Sequence, residues 1–231
     1  MYNGGMSSTA VKMQPRAGAK TAGKDFEPGT FGWVASDLDN PQIEREWFKG
    51  RYEIVEGVLA KMPPAYFTGG SALYELMTRV DQYLEQRGKW RFATEVEVIV
   101  DEIRVPRADA VLLSGEDARK QRAAAKAAGR RDPRRTLILV PPTLIIESVS
   151  PGHELHDRRT KRRWYAEFGV PNYWILDAFE QSLECLRLGR GSRYVRDTKG
   201  KGGQKIKPSC FPDLVVNLAN LWDEGDDSDE D

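Results

Sequence analysis

The chain has 231 residues, 30% charged and 40% hydrophobic, with 35 basic residues balanced by 35 acidic ones. That length supports one well-buried domain plus tails, and no apolar run approaches the roughly 20 residues that a membrane span requires. The two cysteines, Cys185 and Cys210, are too few for a disulfide framework or a four-thiolate zinc site, and two histidines, His153 and His156, exclude a histidine-rich metal centre. The balanced charge hides a segregation. Seven of the last nine residues are acidic, leaving 35 basic against 28 acidic residues elsewhere, a net +7.

Residues 1–28 mix Gly, Ser, Ala and Lys without the apolar segment of a secretory signal, so they read as a disordered tail and the cytoplasm is the expected location. A single domain is expected over residues 29–222, followed by a self-repelling acidic tail at 223–231. Pro41–Lys49 predicts a short helix leading into the domain. Tyr52–Met62 has strand, turn, strand character with Glu56-Gly57 at the bend. From Ser71 to Arg87, Leu73, Leu76, Met77, Val80 and Leu84 recur at three- and four-residue spacing, an amphipathic helix stopped by Gly88. Thr94–Val100 alternates with period two, and Ala108–Leu113 follows as a second, antiparallel strand.

Residues 118–135 interrupt this pattern with an Ala- and Arg-rich insertion that has helix formers but little apolar face. Strands over 137–140 and 143–149, split by Pro141-Pro142, precede a helix over 155–168 that Gly169 ends. Asn172–Asp177 reads as a strand, and a hairpin runs through 183–188 and 194–195. The order of helix, strands, helix, strands predicts an α/β (α+β) sandwich. Lys199–Gly203 lacks the spacing of a phosphate loop and reads as a hairpin turn. No dinucleotide fingerprint, serine elbow or zinc-ligand pair is present.

Glu147 is the anomaly, one carboxylate inside the apolar run Leu144-Ile145-Ile146-Glu147-Ser148-Val149. Burying it unpaired costs several kcal/mol unless a cation, a metal or hydrogen bonds compensate. Asp109 lies in a similar strand, between Ala108 and Ala110. Two carboxylates from adjacent strands suffice for Mg²⁺, which prefers oxygen ligands and keeps several of its waters. On the following helix Asp157, Lys161, Trp164, Tyr165 and Phe168 share one face, which turns Lys161 toward the sheet as the cation that orients water or offsets developing charge. The plainer reading makes Asp157–Lys161 an ordinary i,i+4 ion pair and Asp109 a solvated strand end. Arg119, Lys120, Arg122, Lys126, Arg130, Arg131, Arg134 and Arg135 suit tracking of DNA phosphates, and equally a solvated surface.

Five segments together, Tyr52–Leu59 with Pro63-Pro64, Arg104–Asp109, Pro142–Pro151, then Asp157, Lys161 and Tyr165, and finally Gly169–Asp177, resemble the Uma-type family of restriction endonucleases. This family is a branch of the PD-(D/E)XK nuclease superfamily, and the resemblance covers about residues 51–188. It implies a restriction-endonuclease-like αβββαβ core with a central mixed sheet flanked by helices, and Mg²⁺-dependent hydrolysis of DNA, with Mn²⁺ as a substitute. Asp109 and Glu147 become metal ligands, Glu56 an additional acid near the site, Lys161 the catalytic lysine moved from strand to helix, and Asp157 and Tyr165 supporting residues. The chain departs from the superfamily pattern at Val149, where the usual lysine would stand, and at Ala108, where a proline usually precedes the aspartate. A homodimer would suit double-strand cleavage. The rival functional reading is a catalytically inactive nuclease fold serving as a nucleic-acid-binding or protein-interaction module, including one whose acidic tail occupies the basic surface in cis.

Overall fold

The computed structural model describes residues 25–62, 66–129, 137–152 and 154–222. Most of the expected amino-terminal tail, the acidic tail and His153 lie outside the described residues, as do Arg130, Arg131, Arg134 and Arg135. Phe26, expected in the tail, packs edge-on against Trp33 and Tyr52 with ring centroids 5.4 and 4.9 Å apart. Apolar burial therefore starts before residue 29. A 3-10 turn at Ala35–Asp39 leads to helix α1 (Pro41–Trp47), whose start is set by the Asn40 side chain accepting from the Gln42 N–H and by Pro41 at the first helical position.

Strands β1 (Tyr52–Val55) and β2 (Val58–Lys61) form a hairpin whose two turn residues, Glu56 and Gly57, take φ of 50° and 79°. Positive φ at both positions is what a tight two-residue hairpin of natural twist requires. The hairpin stands outside the main sheet and is tied to it by reciprocal hydrogen bonds between Ile54 and Val105 of 3.1 and 2.9 Å. Helix α2 spans Phe67–Leu84 and buries Ala72, Leu76, Val80 and Leu84 on one face. It begins ahead of the expected Ser71, taking Gly69-Gly70 into its first turn. A Cβ at Gly69 would stand 2.9 Å from Ser148 Oγ, so the missing side chain lets the helix approach the sheet closely.

Strands β3 (Trp90–Val98) and β4 (Arg107–Ser114) pair antiparallel, and helix α3 (Gly115–Ala127) follows at once. A capping box fixes the start of α3: Asp117 N–H donates to Ser114 Oγ while the Asp117 carboxylate accepts from Ser114 N–H. The basic insertion is thus a helix that begins at Gly115 rather than at residue 118. Then come β5 (Leu137–Ile138), β6 (Leu144–Ser148) and a π-helical turn at His156–Lys161. That turn runs into α4 (Arg162–Phe168), closed by Gly169 at φ 93°. Strands β7 (Asn172–Asp177), β8 (Ser182–Leu188) and β9 (Tyr194–Lys201), the short pair β10 (Lys205–Ile206) and β11 (Val216–Asn217), and α5 (Ala219–Trp222) complete the described chain. The turn expected over 199–203 is narrower, because Gly200 and Lys201 still belong to β9 and pair with β8.

The main sheet has seven strands in the order β5-β3-β4-β6-β7-β8-β9 and is mixed, with β3–β5 and β6–β7 parallel and the other pairs antiparallel. One face packs Leu112, Ile146, Trp174 and Leu176 against Leu76 and Val80 of α2 and Leu221 of α5. The other packs Val111, Ile145, Tyr173 and Ile175 against Trp164 and Tyr165 of α4. Complete burial of a side chain such as Leu76 is worth about 1.5–3 kcal/mol, so burial on both faces fixes the sheet between its helices. Among the described residues no helix is long and apolar enough to cross a membrane.

Candidate active site

The strand registers bring the two expected carboxylates together. Ala110 of β4 lies opposite Ile146 of β6, so the next position along the antiparallel pair sets Asp109 beside Glu147 on one face of the sheet. The N–H of Ser148 donates to Asp109 Oδ2 at 2.8 Å, clasping the two strands at this point. On the other side of Asp109 the pairing of β3 with β4 is broken. Thr94 pairs with Ala110 and Val96 with Ala108, while Glu95, between them, takes φ 54°. A non-glycine residue in the left-handed region inside a strand is strained by about 1–3 kcal/mol, and this strain sits directly beside the carboxylate pair.

Helix geometry supplies the cation. The wider π-helical turn still carries Asp157 and Lys161 on its inner side, both buried. Lys161 Nζ lies 2.9 Å from Glu53 Oε1, 3.2 Å from Glu147 Oε2 and 3.5 Å from Asp157 Oδ1, and it donates to the Arg107 carbonyl at 3.0 Å. Glu147 is 1% exposed, and its other oxygen accepts from the Tyr165 hydroxyl at 2.7 Å. The compensation that Glu147 demands is therefore an ammonium and a phenol.

Glu53 is the acid that the sequence reading passed over. It is fully buried, accepts from Arg107 N–H at 2.9 Å, and lies 2.9 Å from His156 Nε2. The expected third acid, Glu56, sits instead at the tip of the hairpin with its side chain half exposed, accepting from Trp164 Nε1 at 3.2 Å and Arg163 at 3.4 Å. The reason lies in the β1 strand, where alternation sends Glu53 inward and the turn sends Glu56 out toward α4. Asp109, Glu147, Lys161, Asp157 and Tyr165 are thus brought together, with Glu53 in the place expected for Glu56. Arg119, Lys120 and Arg122 stand apart on α3, where Lys120 pairs with Glu116 at 2.7 Å.

Asp109, Glu147, Glu53, Asp157 and Lys161 line a cavity of about 30 Å³, together with the partly exposed Arg51, Met62 and Ser150. Burial would raise the Glu53 carboxyl, but Lys161 and then His156 outweigh it and hold it at about 2. Burial likewise opposes the charge on Lys161, and the surrounding Glu147, Glu53, Asp157 and Asp109 outweigh it, so the ammonium stays protonated well above its ordinary range. Glu147 goes the other way. Burial pushes its carboxyl well up, and the negative charges of Asp109 and Asp157 add to the effect against the pull of Lys161. Asp157 is also raised, by burial first.

A mixed sheet that gathers carboxylates from two adjacent strands and a lysine into one pocket defines the restriction-endonuclease-like class. Residues 42–219 match the family described as "Uma2: Putative restriction endonuclease", and the chain belongs to that family. Restriction endonucleases, the class named in that description, act on DNA and in general use divalent metal ions. The fold is also that of the crystal structure of "a putative nuclease belonging to DUF820" from Anabaena variabilis. Identity is 14% and the TM-score is 0.57, over 74% of this chain and 89% of that one. No curated protein sequence matches the chain.

The donor chemistry suits a hard cation. Every carboxylate in the pocket offers only oxygen, and Glu147 is disfavoured in its charged form by burial and then by Asp109 and Asp157, a condition that a divalent cation would relieve. Asp109 Oδ1 has only a long contact, 3.5 Å from Arg51, and so keeps accepting capacity on the open side. Among the described residues no cluster of three or more His, Cys, Asp or Glu is gathered so as to hold a metal.

Proposed function

We propose that this pocket hydrolyses phosphodiester bonds of DNA, with Asp109 and Glu147 holding Mg²⁺ and with Lys161 and Glu53 completing the site. The observation that carries the reading is the convergence of Asp109, Glu147, Glu53 and Lys161 on one small cavity open on the Asp109 side. A bound divalent ion would polarise the scissile phosphate and lower the pKa of a coordinated water.

The chain's own groups then have distinct duties. Lys161 is held protonated and so serves as a fixed positive charge that offsets the developing phosphorane, not as a base. Glu53, held ionised, anchors that ammonium and the His156 ring. Asp157 holds Lys161 from one turn earlier, at 3.5 Å. The Tyr165 hydroxyl and Lys161 orient the two Glu147 oxygens, while Ser148 N–H orients Asp109. Glu147, whose carboxyl is pushed up chiefly by burial, would have to be ionised to hold a cation.

The test is conversion of supercoiled plasmid to nicked or linear forms. Cleavage should require Mg²⁺ or Mn²⁺, stop with a chelator, and disappear in Asp109→Asn and Glu147→Gln proteins whose circular dichroism is unchanged. A wild-type protein that binds no divalent ion by calorimetry would overturn the reading.

A further inference from the structure

We propose that a second cleft, at the opposite end of the β3–β4 pair, binds the phosphodiester backbone of DNA away from the bond being cut. The cleft encloses about 560 Å³ and is lined by Arg87, Lys89, Trp90 and Arg91 from the start of β3 and its approach, and by Arg119 and Arg122 from α3. Trp90 pairs with Ser114, the residue whose capping box begins α3. Gly115 packs so closely that a Cβ there would stand 3.3 Å from the Lys89 carbonyl. The two walls are therefore held in fixed relation, although they come from different elements.

Most of the charge in this cleft has no paired counter-ion among the described residues. Among the described residues Lys89, Arg91, Arg119 and Arg122 form no ion pair, and all four are exposed. Arg87 lies over the Tyr83 ring at 4.0 Å, a contact that leaves its charge intact. The nearest acids on α3 are engaged elsewhere, Glu116 with Lys120 at 2.7 Å and Asp117 with Ser114 N–H and the Thr143 hydroxyl. A concave surface walled by five cations focuses positive potential, and a string of phosphates is the ligand class that such a field selects.

Five positions of β4 separate Asp109 from Ser114, about 17 Å at ~3.4 Å per residue, with the fully buried Ala110, Val111 and Leu112 between them, so the cleft is a place distinct from the Asp109 pocket. The proposal takes its substrate from the nuclease reading of the Asp109 pocket, but its binding chemistry stands on the cleft alone.

The experiment measures anisotropy of a labelled duplex of about 20 base pairs against salt concentration. It uses the full chain carrying Asp109→Asn to prevent cleavage. Adding Arg91→Glu and Arg122→Glu should weaken binding about tenfold or more and make the slope of log K against log salt shallower by about 2, at about 0.9 per phosphate contact. The charge-conserving pair Arg91→Lys and Arg122→Lys should keep the parent slope. An unchanged slope in the glutamate variant overturns the cleft. Plasmid cleavage by the wild type, run in parallel, separates the two claims: no metal-dependent cleavage together with cleft-dependent binding supports the cleft and sinks only the active-site reading.

Discussion

Lys161 Nζ lies 3.2 Å from Glu147 Oε2, although the two residues are 14 apart in the chain and belong to a helical turn and a strand. Both are almost wholly inaccessible to solvent, so this pair is bound to the integrity of the fold as much as to its chemistry. Replacing Lys161 by Met removes the cation that faces Glu53, Glu147 and Asp157 together. Breaking a buried pair by removing one partner costs about 3–5 kcal/mol, so Lys161→Met should unfold at markedly lower urea and cleave no DNA. Lys161→Arg, which restores charge with a different shape, should recover stability more than it recovers cleavage.

Glu53 and Glu56 are three residues apart and should respond oppositely. Glu53→Gln leaves Lys161 short of a carboxylate and should abolish plasmid cleavage, with a stability loss of about 3 kcal/mol or more. Glu56→Gln alters a half-exposed contact with Arg163, worth less than about 1 kcal/mol, and should cleave as the wild type does. Equal loss in both variants would refute the assignment of Glu53 to the site.

Acid titration should expose Glu53 through stability. Its carboxyl is lowered from 4.5 to about 2 in the folded chain, so its contribution is complete above pH 4.5 and is lost as pH falls from there to about 2. Urea midpoints measured down that range should fall in the wild type and fall less steeply in Glu53→Gln. A parallel decline in the two proteins would contradict the assignment.

Glu147 should make metal binding depend on pH in the opposite sense. Because its carboxyl is raised by burial and by the charges of Asp109 and Asp157, a proton must leave before a cation is held. Mn²⁺ affinity should therefore increase with pH beyond the ordinary carboxylate range, and calorimetry in buffers of different ionisation enthalpy should register a released proton. Glu147→Gln should abolish that proton release.

Tyr165→Phe offers a finer probe, since it removes one oxygen 2.7 Å from Glu147 and little else. An acceptor left unsatisfied in a buried site costs about 1–3 kcal/mol, and loss of the phenol raises the Glu147 carboxyl further. The pH at which cleavage reaches half its maximum should move upward, while activity at high pH is retained. Complete inactivity at every pH would assign Tyr165 a more direct part than orienting Glu147.

The strands and helices of this chain were mostly legible because their periodicities are clean: α2 shows its three- and four-residue spacing, and Asp109 and Glu147 stand out as charges within apolar strands. Three features were not. Helix α2 was expected from Ser71 but begins at Phe67, and the Ser148 hydroxyl pressing on Gly69 explains why that position carries no side chain. Glu53 looks like the polar member of an alternating hairpin strand. Its burial depends on Lys161, which is 108 residues away, and no local pattern carries that information. Residues 115–117 were read as lying ahead of the insertion, although Ser114 and Asp117 form the capping pair that begins α3.

The volume of the acidic cavity carries a consequence for recognition. About 30 Å³ accommodates a single water molecule or a bare ion. The space is open and partly exposed beside Asp109 and Ser150, so on the proposed nuclease reading a backbone phosphate oxygen would meet the carboxylates there, and any preference among DNA sequences would have to be read by surfaces outside so small a space.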